Sequence, residues 1–229
     1  MPSLRLWIYE GLAHFAQALY RERQNGRQAA LQFMNLYRQQ IVEREKTIAA
    51  EHDPKAASEQ ALINTASEEF YRSKAMYVWW MLRDLVGDNA TKAAIAAYKS
   101  DQDREPSYVQ QLFGAQSKRD LEWFFDDWVY HDRGLPDFRI VSVYPRQTLQ
   151  NTYLVTVTVE NLGDAGAETL VMSPDPGTEA TARMQIKGKS RNSVRLQTTA
   201  TPEEATVNDG SVPETDFTND TVKVQAPPK

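Results

Sequence analysis

The hydrophobic pattern changes its period at Gly134-Leu135-Pro136, and this change constrains the fold more than any other feature. Before it, apolar residues recur at helical spacing, as over 12–19; after it they alternate, as over 151–161. All five tryptophans precede this point, and seven of the eleven prolines follow Pro136. Such a shift at a Gly/Pro boundary predicts two domains, 1–136 and 137–229.

The first domain is predicted to be an all-α helical bundle of five or six helices. Its third helix should run from about Ser58 to Val86, with a stripe of apolar residues on one side and Gly87 as its stop. The charged run 43–46 is interpreted as a mixed-charge helical face.

The second domain is predicted to be an antiparallel β-sandwich. Its candidate strands are rich in β-branched residues, are separated by turn residues, and cover 138–145, 151–161, 168–172, 180–188, 193–202 and 220–225. This pattern, with Thr218-Asn219-Asp220 before the last strand, resembles the small immunoglobulin-like modules appended to exported bacterial enzymes. The predicted fold class is therefore multidomain α plus β, a helical bundle followed by an immunoglobulin-like sandwich.

Composition excludes several classes of function. The net charge of −5 is spread along the chain, which disfavours binding to nucleic acid. The chain has no cysteine, so disulfides, thiolate metal sites and a cysteine nucleophile are excluded. No apolar run approaches the roughly 20 residues that a membrane span needs. The oligomeric state stays open.

The sharpest local motif is Trp7-Ile8-Tyr9-Glu10-Gly11-Leu12-Ala13. It is compatible with an amphipathic helix that buries Trp7 and exposes Glu10. A glycine inside a helix nevertheless costs about 1 kcal/mol relative to alanine. Gly11 therefore indicates a place where another group approaches the backbone closely.

This stretch resembles the W-[LI]-x-E-G-x-A signature of gluzincin metallopeptidases, best known from the aminopeptidase N family. The family's glutamate is the third zinc ligand after the two histidines of HExxH, and a fourth position stays open for an activated water. The resemblance implies that Glu10 is a metal ligand, that zinc is the cofactor of the parent protein and that a peptide or protein is its substrate.

A second stretch, 70–88, resembles the family helix Y-x-K-G-A-x-V-L-x-M-L, with Lys74 in register and Ala75 in place of the motif glycine. Strict register puts Arg72 at the position of the tyrosine that stabilises the oxyanion, and Tyr71 precedes it by one residue. The resemblance implies a catalytic role for Tyr71 on the same surface as Glu10. The alternative is that Tyr71 is an ordinary residue of a buried helical stripe.

A third stretch, 120–136, resembles the helix that closes the family's helical region, with Trp128 and a G-x-P exit towards a β-domain.

The main departure from the family is the lack of HExxH, since no two of His14, His52 and His131 are four residues apart. Counting back from Glu10 places the expected histidines before Met1. We therefore expect a C-terminal portion of a zinc metallopeptidase that is inactive alone and binds no zinc. We expect Glu10 to be exposed or poorly paired, and His14 to have a packing or surface role. Export is inferred only from the appended module.

The alternative function is a non-catalytic protein- or carbohydrate-binding module on a helical scaffold.

Overall fold

A computed structural model describes residues 5–51, 59–176 and 178–224. The chain divides into two compact units, Met1–Arg133 and Gly134–Lys229, here called the helical unit and the β unit. The division falls between Arg133 and Gly134, three residues before the boundary predicted after Pro136.

The helical unit contains seven α-helices and two π-helical segments within the described residues. In chain order these are α1 Leu6–Asn25, α2 Arg27–Asn35, α3 Arg38–Glu51, the π-helical segment Glu69–Lys74, α4 Ala75–Val86, α5 Asp88–Ala97, α6 Tyr108–Ser117, α7 Glu122–Phe125 and a second π-helical segment Asp126–Tyr130. In the part of the chain that the structure describes, none of these helices combines the length and apolar character that crossing a membrane requires.

Helix α4 is the centre of the helical unit. Every residue from Ala75 to Leu82 is buried, so this stretch of the helix packs against other residues on all sides. It ends at Val86, where Gly87 adopts a φ of 85°, as the sequence predicts.

The predicted third helix from about Ser58 to Val86 is not continuous. Residues 59–60 are helical, residues 61–67 are turn and coil, and the helical stretch that ends at Val86 begins around Glu69. Polar side chains explain the later start: the Ser67 amide donates to Thr65 Oγ1 at 3.0 Å, and the Ser67 hydroxyl donates to Glu69 at 2.6 Å. Such local bonds favour helix termini over helix interiors. Residues 52–58, including Ser58, lie outside the described residues.

The β unit consists of two antiparallel sheets, which confirms the mixed α plus β class. The strands are β1 Phe138–Gln147, β2 Tyr153–Asn161, β3 Ala167–Asp175, β4 Thr178–Ile186, β5 Ser190–Thr198, β6 Glu204–Val207 and β7 Thr221–Lys223. One sheet has the order β1-β2-β5, and the other has the order β4-β3-β6-β7.

Alternation along the strands gives each sheet one buried face. In β2 the buried positions are Val155, Val157, Val159 and Asn161, and in β3 every second residue from Ala167 to Ser173 is buried. β1 and β6, which belong to different sheets, lie in contact. All six predicted strand segments contain a strand. The sequence did not predict β6.

A buried carboxyl group fastens the start of β1 to the loop before β7. The Phe138 amide donates to Glu214 Oε2 at 2.9 Å, and the Asn208 side chain donates to Glu214 Oε1. Glu214 is fully buried, and Asp220 nearby is 4% exposed. Burial first, and the charge of Asp220 second, raise the pKa of Glu214 to about 10. Glu214 is therefore neutral at pH 7.

This protonation makes the stability of the β unit depend on pH. The folded-state pKa of Glu214 lies above its unfolded value, so its contribution is complete below about pH 4.5 and is lost as pH rises towards about 10. We expect the free energy of unfolding of the β unit to fall between pH 6 and 9, by at most about 1.4 kcal/mol per pH unit from this group. Urea titrations followed by the NMR amide signals of β2 measure it.

Glu214→Gln should flatten this pH dependence because an amide stays neutral throughout. Glu179→Gln, at an exposed position of the same unit, is the matched control and should leave the slope unchanged. A Glu214→Gln variant with the slope of the unmodified protein would contradict the protonated state of Glu214.

Candidate functional site

Gly11 lies where α1 crosses α4. A Cβ atom placed on Gly11 would be 2.7 Å from the Cβ of Ala75 and 3.1 Å from the Trp79 ring, both shorter than ordinary contacts. One turn earlier, the Trp7 ring stacks on Trp79 with centroids 5.2 Å apart, and Trp79 Nε1 donates to the Trp7 carbonyl at 3.1 Å. The tryptophan and glycine of the first motif thus pack α1 against α4.

The crossing sets Glu10 beside the π-helical segment Glu69–Lys74. Arg72 Nε donates to Glu10 Oε2 at 3.0 Å, and the same guanidinium pairs with Glu68. Glu10 is therefore paired, contrary to the expectation of a poorly paired carboxylate. Hydrogen bonding to Glu10 is the first cause that raises the pKa of Arg72. Both side chains are 38% exposed, so this is a surface ion pair of modest energy.

Tyr71 lies next to the same guanidinium. The Cζ of Arg72 is 5.9 Å from the centroid of the Tyr71 ring. Tyr71 is half-buried, unlike Ser73 and Lys74, which follow it and are buried. Glu10 and Tyr71 therefore both border Arg72, although sixty residues separate them in the sequence. Arg72, at the strict motif position of the tyrosine, is the residue that contacts Glu10.

The described residues do not by themselves provide enough ligands for zinc. A zinc site needs at least three protein ligands, and no group of three or more His, Asp or Glu side chains in 5–51, 59–176 and 178–224 could hold a metal ion. His14 lies near Glu10, but its Nδ1 is 3.1 Å from the Glu10 backbone oxygen and its ring packs edge-on against Tyr37. His52 lies outside the described residues. Glu10 thus offers one carboxylate ligand.

A second cluster lies directly below this surface and was not predicted. Lys74 is 2% exposed, and its Nζ is 2.6 Å from Glu45 Oε1 and 2.8 Å from Asp132 Oδ1. The ammonium also lies over the rings of Phe70 and Trp128, at 4.9 Å and 5.7 Å from their centroids. We call Lys74, Glu45 and Asp132 the buried ion triad.

Opposing effects set the charges of the buried ion triad. Burial alone would lower the pKa of Lys74, but Glu45 and Asp132 outweigh it and raise that pKa. Burial is the largest effect on Glu45 and raises its pKa. Lys74 is therefore charged at neutral pH, and its two carboxylate partners satisfy it.

Glu45 belongs to the run 43–46, interpreted from the sequence as a mixed-charge helical face, and its side chain is only 11% exposed. The alternating charges of α3 gave no indication that Glu45 contacts Lys74 of the π-helical segment. A sequence signal did exist: Lys74 stands inside a run of apolar residues that must be buried, and a buried lysine requires an acidic partner. The partner's identity, however, depends on contacts 29 and 58 residues away.

The triad anchors the segment that carries the candidate site residues. Lys74 ties it to α3 through Glu45 and to the residues after the second π-helical segment through Asp132. Ser73 adds a bond, because Gln40 Nε2 donates to its hydroxyl at 2.6 Å. Tyr71 and Arg72 are thus presented from a backbone held on its buried side.

Comparison with known proteins gives only distant neighbours. No protein-family model matches the sequence, and no curated protein matches it. Among solved structures, a CARDB domain of a protein from Pyrococcus furiosus in complex with di-metal ions is 23% identical, with a TM-score of 0.32; the match covers 38% of this chain and 87% of that one. A β-glucosidase from Streptomyces venezuelae, in complex with D-glucose, is 14% identical, with a TM-score of 0.26; the match covers 45% of this chain and 18% of that one.

The α1–α4 crossing predicts a coupled pair of substitutions. Gly11→Ala should lower the free energy of unfolding of the helical unit by about 1–3 kcal/mol, because the new methyl group overlaps Ala75. Ala75→Gly alone should cost about 1 kcal/mol from helix propensity. The double variant should be about as stable as Ala75→Gly. Urea titrations followed by tryptophan fluorescence measure all three, since every tryptophan lies in this unit.

Additive losses in the double variant would show that the Ala75 methyl group is not the steric limit at Gly11, because independent sites add within about 0.5 kcal/mol.

The buried ion triad predicts a pH-dependent loss of stability. Lys74→Met leaves Glu45 and Asp132 buried without their cation, and should cost about 3–5 kcal/mol at pH 8. Burial already raises the pKa of Glu45, and without Lys74 no ammonium opposes that rise, so the deficit should shrink as pH falls towards 5. Exposed Lys92→Met is the control. A deficit that is equal at pH 5 and pH 8 would contradict the ionised triad.

Proposed function

We propose that this chain is the C-terminal portion of a zinc-dependent metallopeptidase of the aminopeptidase-like gluzincin type. In this proposal Glu10 supplies a carboxylate ligand to zinc, and the histidine ligands come from residues outside this sequence. Tyr71 faces the reacting carbonyl group of a peptide substrate. The chain alone is inactive.

One observation carries the proposal. The helix with the Trp-x-x-Glu-Gly motif packs, through Gly11, onto Ala75 and Trp79 of the helix that carries the Lys-Ala motif. Two motifs that were connected only by resemblance are in direct contact. Their polar residues, Glu10 and Tyr71, border one guanidinium. A helical bundle formed for unrelated reasons has no need to bring these positions together.

Arg72 gives the proposed surface a feature beyond the family pattern. Its guanidinium is permanently charged and carries five donors, so it orients the Glu10 carboxylate while the metal is not bound. The same cation next to Tyr71 favours negative charge that develops on a nearby oxygen. We therefore assign Arg72 to positioning Glu10, and keep Tyr71 as the candidate catalytic residue.

We also propose that the β unit is an immunoglobulin-like sandwich. The support comes from strand order: β2 pairs with β5, and β3 pairs with β6. In constant-type immunoglobulin domains the second strand likewise pairs with the fifth, and the third with the sixth. The fourth strand differs, because β4 joins β3 rather than β5. Strand switching of this kind occurs among related sandwiches, whose topologies vary around a shared architecture.

The coding sequence before Met1 tests the peptidase assignment first. An in-frame HExxH eighteen residues before Glu10 supports it, and an in-frame stop codon or unrelated sequence contradicts it. In the longer protein, Glu10→Gln should abolish hydrolysis of aminoacyl coumarin substrates and weaken zinc binding by at least about tenfold. Glu51→Gln, at an exposed position of α3, is the matched control.

The isolated chain gives a separate prediction. Calorimetric titration with zinc should show no tight stoichiometric site, and Glu10→Gln should leave the weak residual binding unchanged, because one carboxylate cannot replace three ligands. A sub-micromolar site that Glu10→Gln removes would contradict the ligand count.

A non-catalytic binding module is the second candidate, and the β unit carries the observation that favours it. Its basic residues are concentrated in residues 178–198.

A further inference from the structure

The β unit separates its charges along the sequence. Residues 134–229 contain nine basic and twelve acidic residues, and residues 178–198 hold five of the nine and only one of the twelve, Glu179. We call 178–198, which comprises β4, the turn after it and β5, the basic segment. The rest of the unit is strongly acidic. All five basic side chains are exposed; they are Arg183, Lys187, Lys189, Arg191 and Arg195.

The basic segment connects an edge strand of one sheet to an edge strand of the other. β4 is the last strand of one sheet and β5 is the last strand of the other. A groove of about 600 Å³ runs between them, lined by 183–187 and 190–194. Three of the five basic residues line it, namely Arg183, Lys187 and Arg191. A row of positive charge thus follows a pair of sheet edges.

Contacts within the unit fix the turn between β4 and β5. The Lys189 amide donates to the Gly163 carbonyl at 2.9 Å, and a Cβ atom on Gly188 would lie 1.8 Å from the Asp164 carbonyl oxygen. Across the groove, Asn192 Nδ2 donates to the Gln185 carbonyl at 2.8 Å. A surface preorganised in this way loses little entropy when a ligand binds.

Local acids reduce the positive charge only in part. Glu160 accepts from Arg191 and is shared with Arg139, which lies outside the basic segment. Glu168 lies 3.9 Å from Arg183, and Asp164 lies 3.7 Å from Lys189. With Glu179 in the segment itself, four carboxylates stand against five cations, so the basic segment keeps a net positive charge.

We propose that the groove between β4 and β5 docks an acidic, extended peptide segment of a partner protein. An edge strand presents backbone donors and acceptors that an extended peptide matches by strand addition. Alternate side chains of such a peptide point the same way, so alternate carboxylates can meet Arg183, Lys187 and Arg191. The peptide backbone is what distinguishes this ligand from other polyanions. The inference is independent of the peptidase assignment.

The probe is a fluorescein-labelled octapeptide of alternating glutamate and threonine, titrated against the full chain by anisotropy. Three comparison ligands are the lysine–threonine octapeptide, the glutamate–threonine peptide with alternate backbone nitrogens methylated, and a heparin oligosaccharide. We expect the acidic peptide to bind, the basic peptide not to bind, and N-methylation to weaken binding by about tenfold or more, because it removes the pairing donors. Binding should weaken as salt rises from 50 to 300 mM.

Variants locate the site. Lys187→Glu should weaken the acidic peptide by about tenfold, whereas Lys92→Glu, an equal charge change at an exposed position of α5, should leave binding unchanged. Lys187→Gln with Arg191→Gln should weaken it without introducing new carboxylates. Circular dichroism verifies that each variant is folded.

Four outcomes would overturn the proposal. Equal losses in Lys187→Glu and Lys92→Glu would indicate general charge attraction, and an unaffected N-methylated peptide would exclude strand addition. Preferential, Lys187-dependent binding of heparin would make the groove a glycan site. Lack of binding by every ligand would leave the charges with the role of preventing edge-to-edge aggregation.

Discussion

The close crossing of α1 and α4 is the contact on which the helical unit depends. Gly11 offers no side chain and Ala75 only a methyl group, so the two backbones approach until a single added carbon would overlap. That approach lets Trp7 stack on Trp79 within a buried helix. It also places Glu10 of α1 beside Arg72. The geometry of the candidate site is thus a consequence of packing two helices at their smallest residues.

Beneath that surface, electrostatics decides what packing leaves open. The buried ion triad adds little net stability, because desolvation of three charges offsets much of their attraction. Its effect is on position: an ammonium held by two carboxylates has few alternative arrangements, and Lys74 is three residues from Tyr71. The triad therefore restricts the position of the π-helical segment against α3.

The β unit buries a carboxyl group, that of Glu214, which is protonated at pH 7. Glu214 accepts from the Phe138 amide at the start of β1 and from Asn208 in the loop after β6, and as a neutral acid it adds no charge to an acidic unit. The basic segment holds five of the nine basic residues of the unit, and all five are exposed. The unit therefore has positive charge along these sheet edges and is acidic elsewhere.

The sequence by itself determined the two-unit organisation, the helical and strand periods, the stop of α4 at Gly87 and the close approach at Gly11, because each depends on neighbours within a few positions. The sequence did not predict β6, nor the break at 61–67, where local side-chain hydrogen bonds favour a turn over a helix interior. Only the tertiary structure decided that Arg72 pairs with Glu10, that Glu45 is buried, and that Lys187 lines a groove between two sheet edges. These facts depend on residues brought together from 29 to 62 positions apart or from separate sheets, and no local pattern encodes which distant side chain arrives.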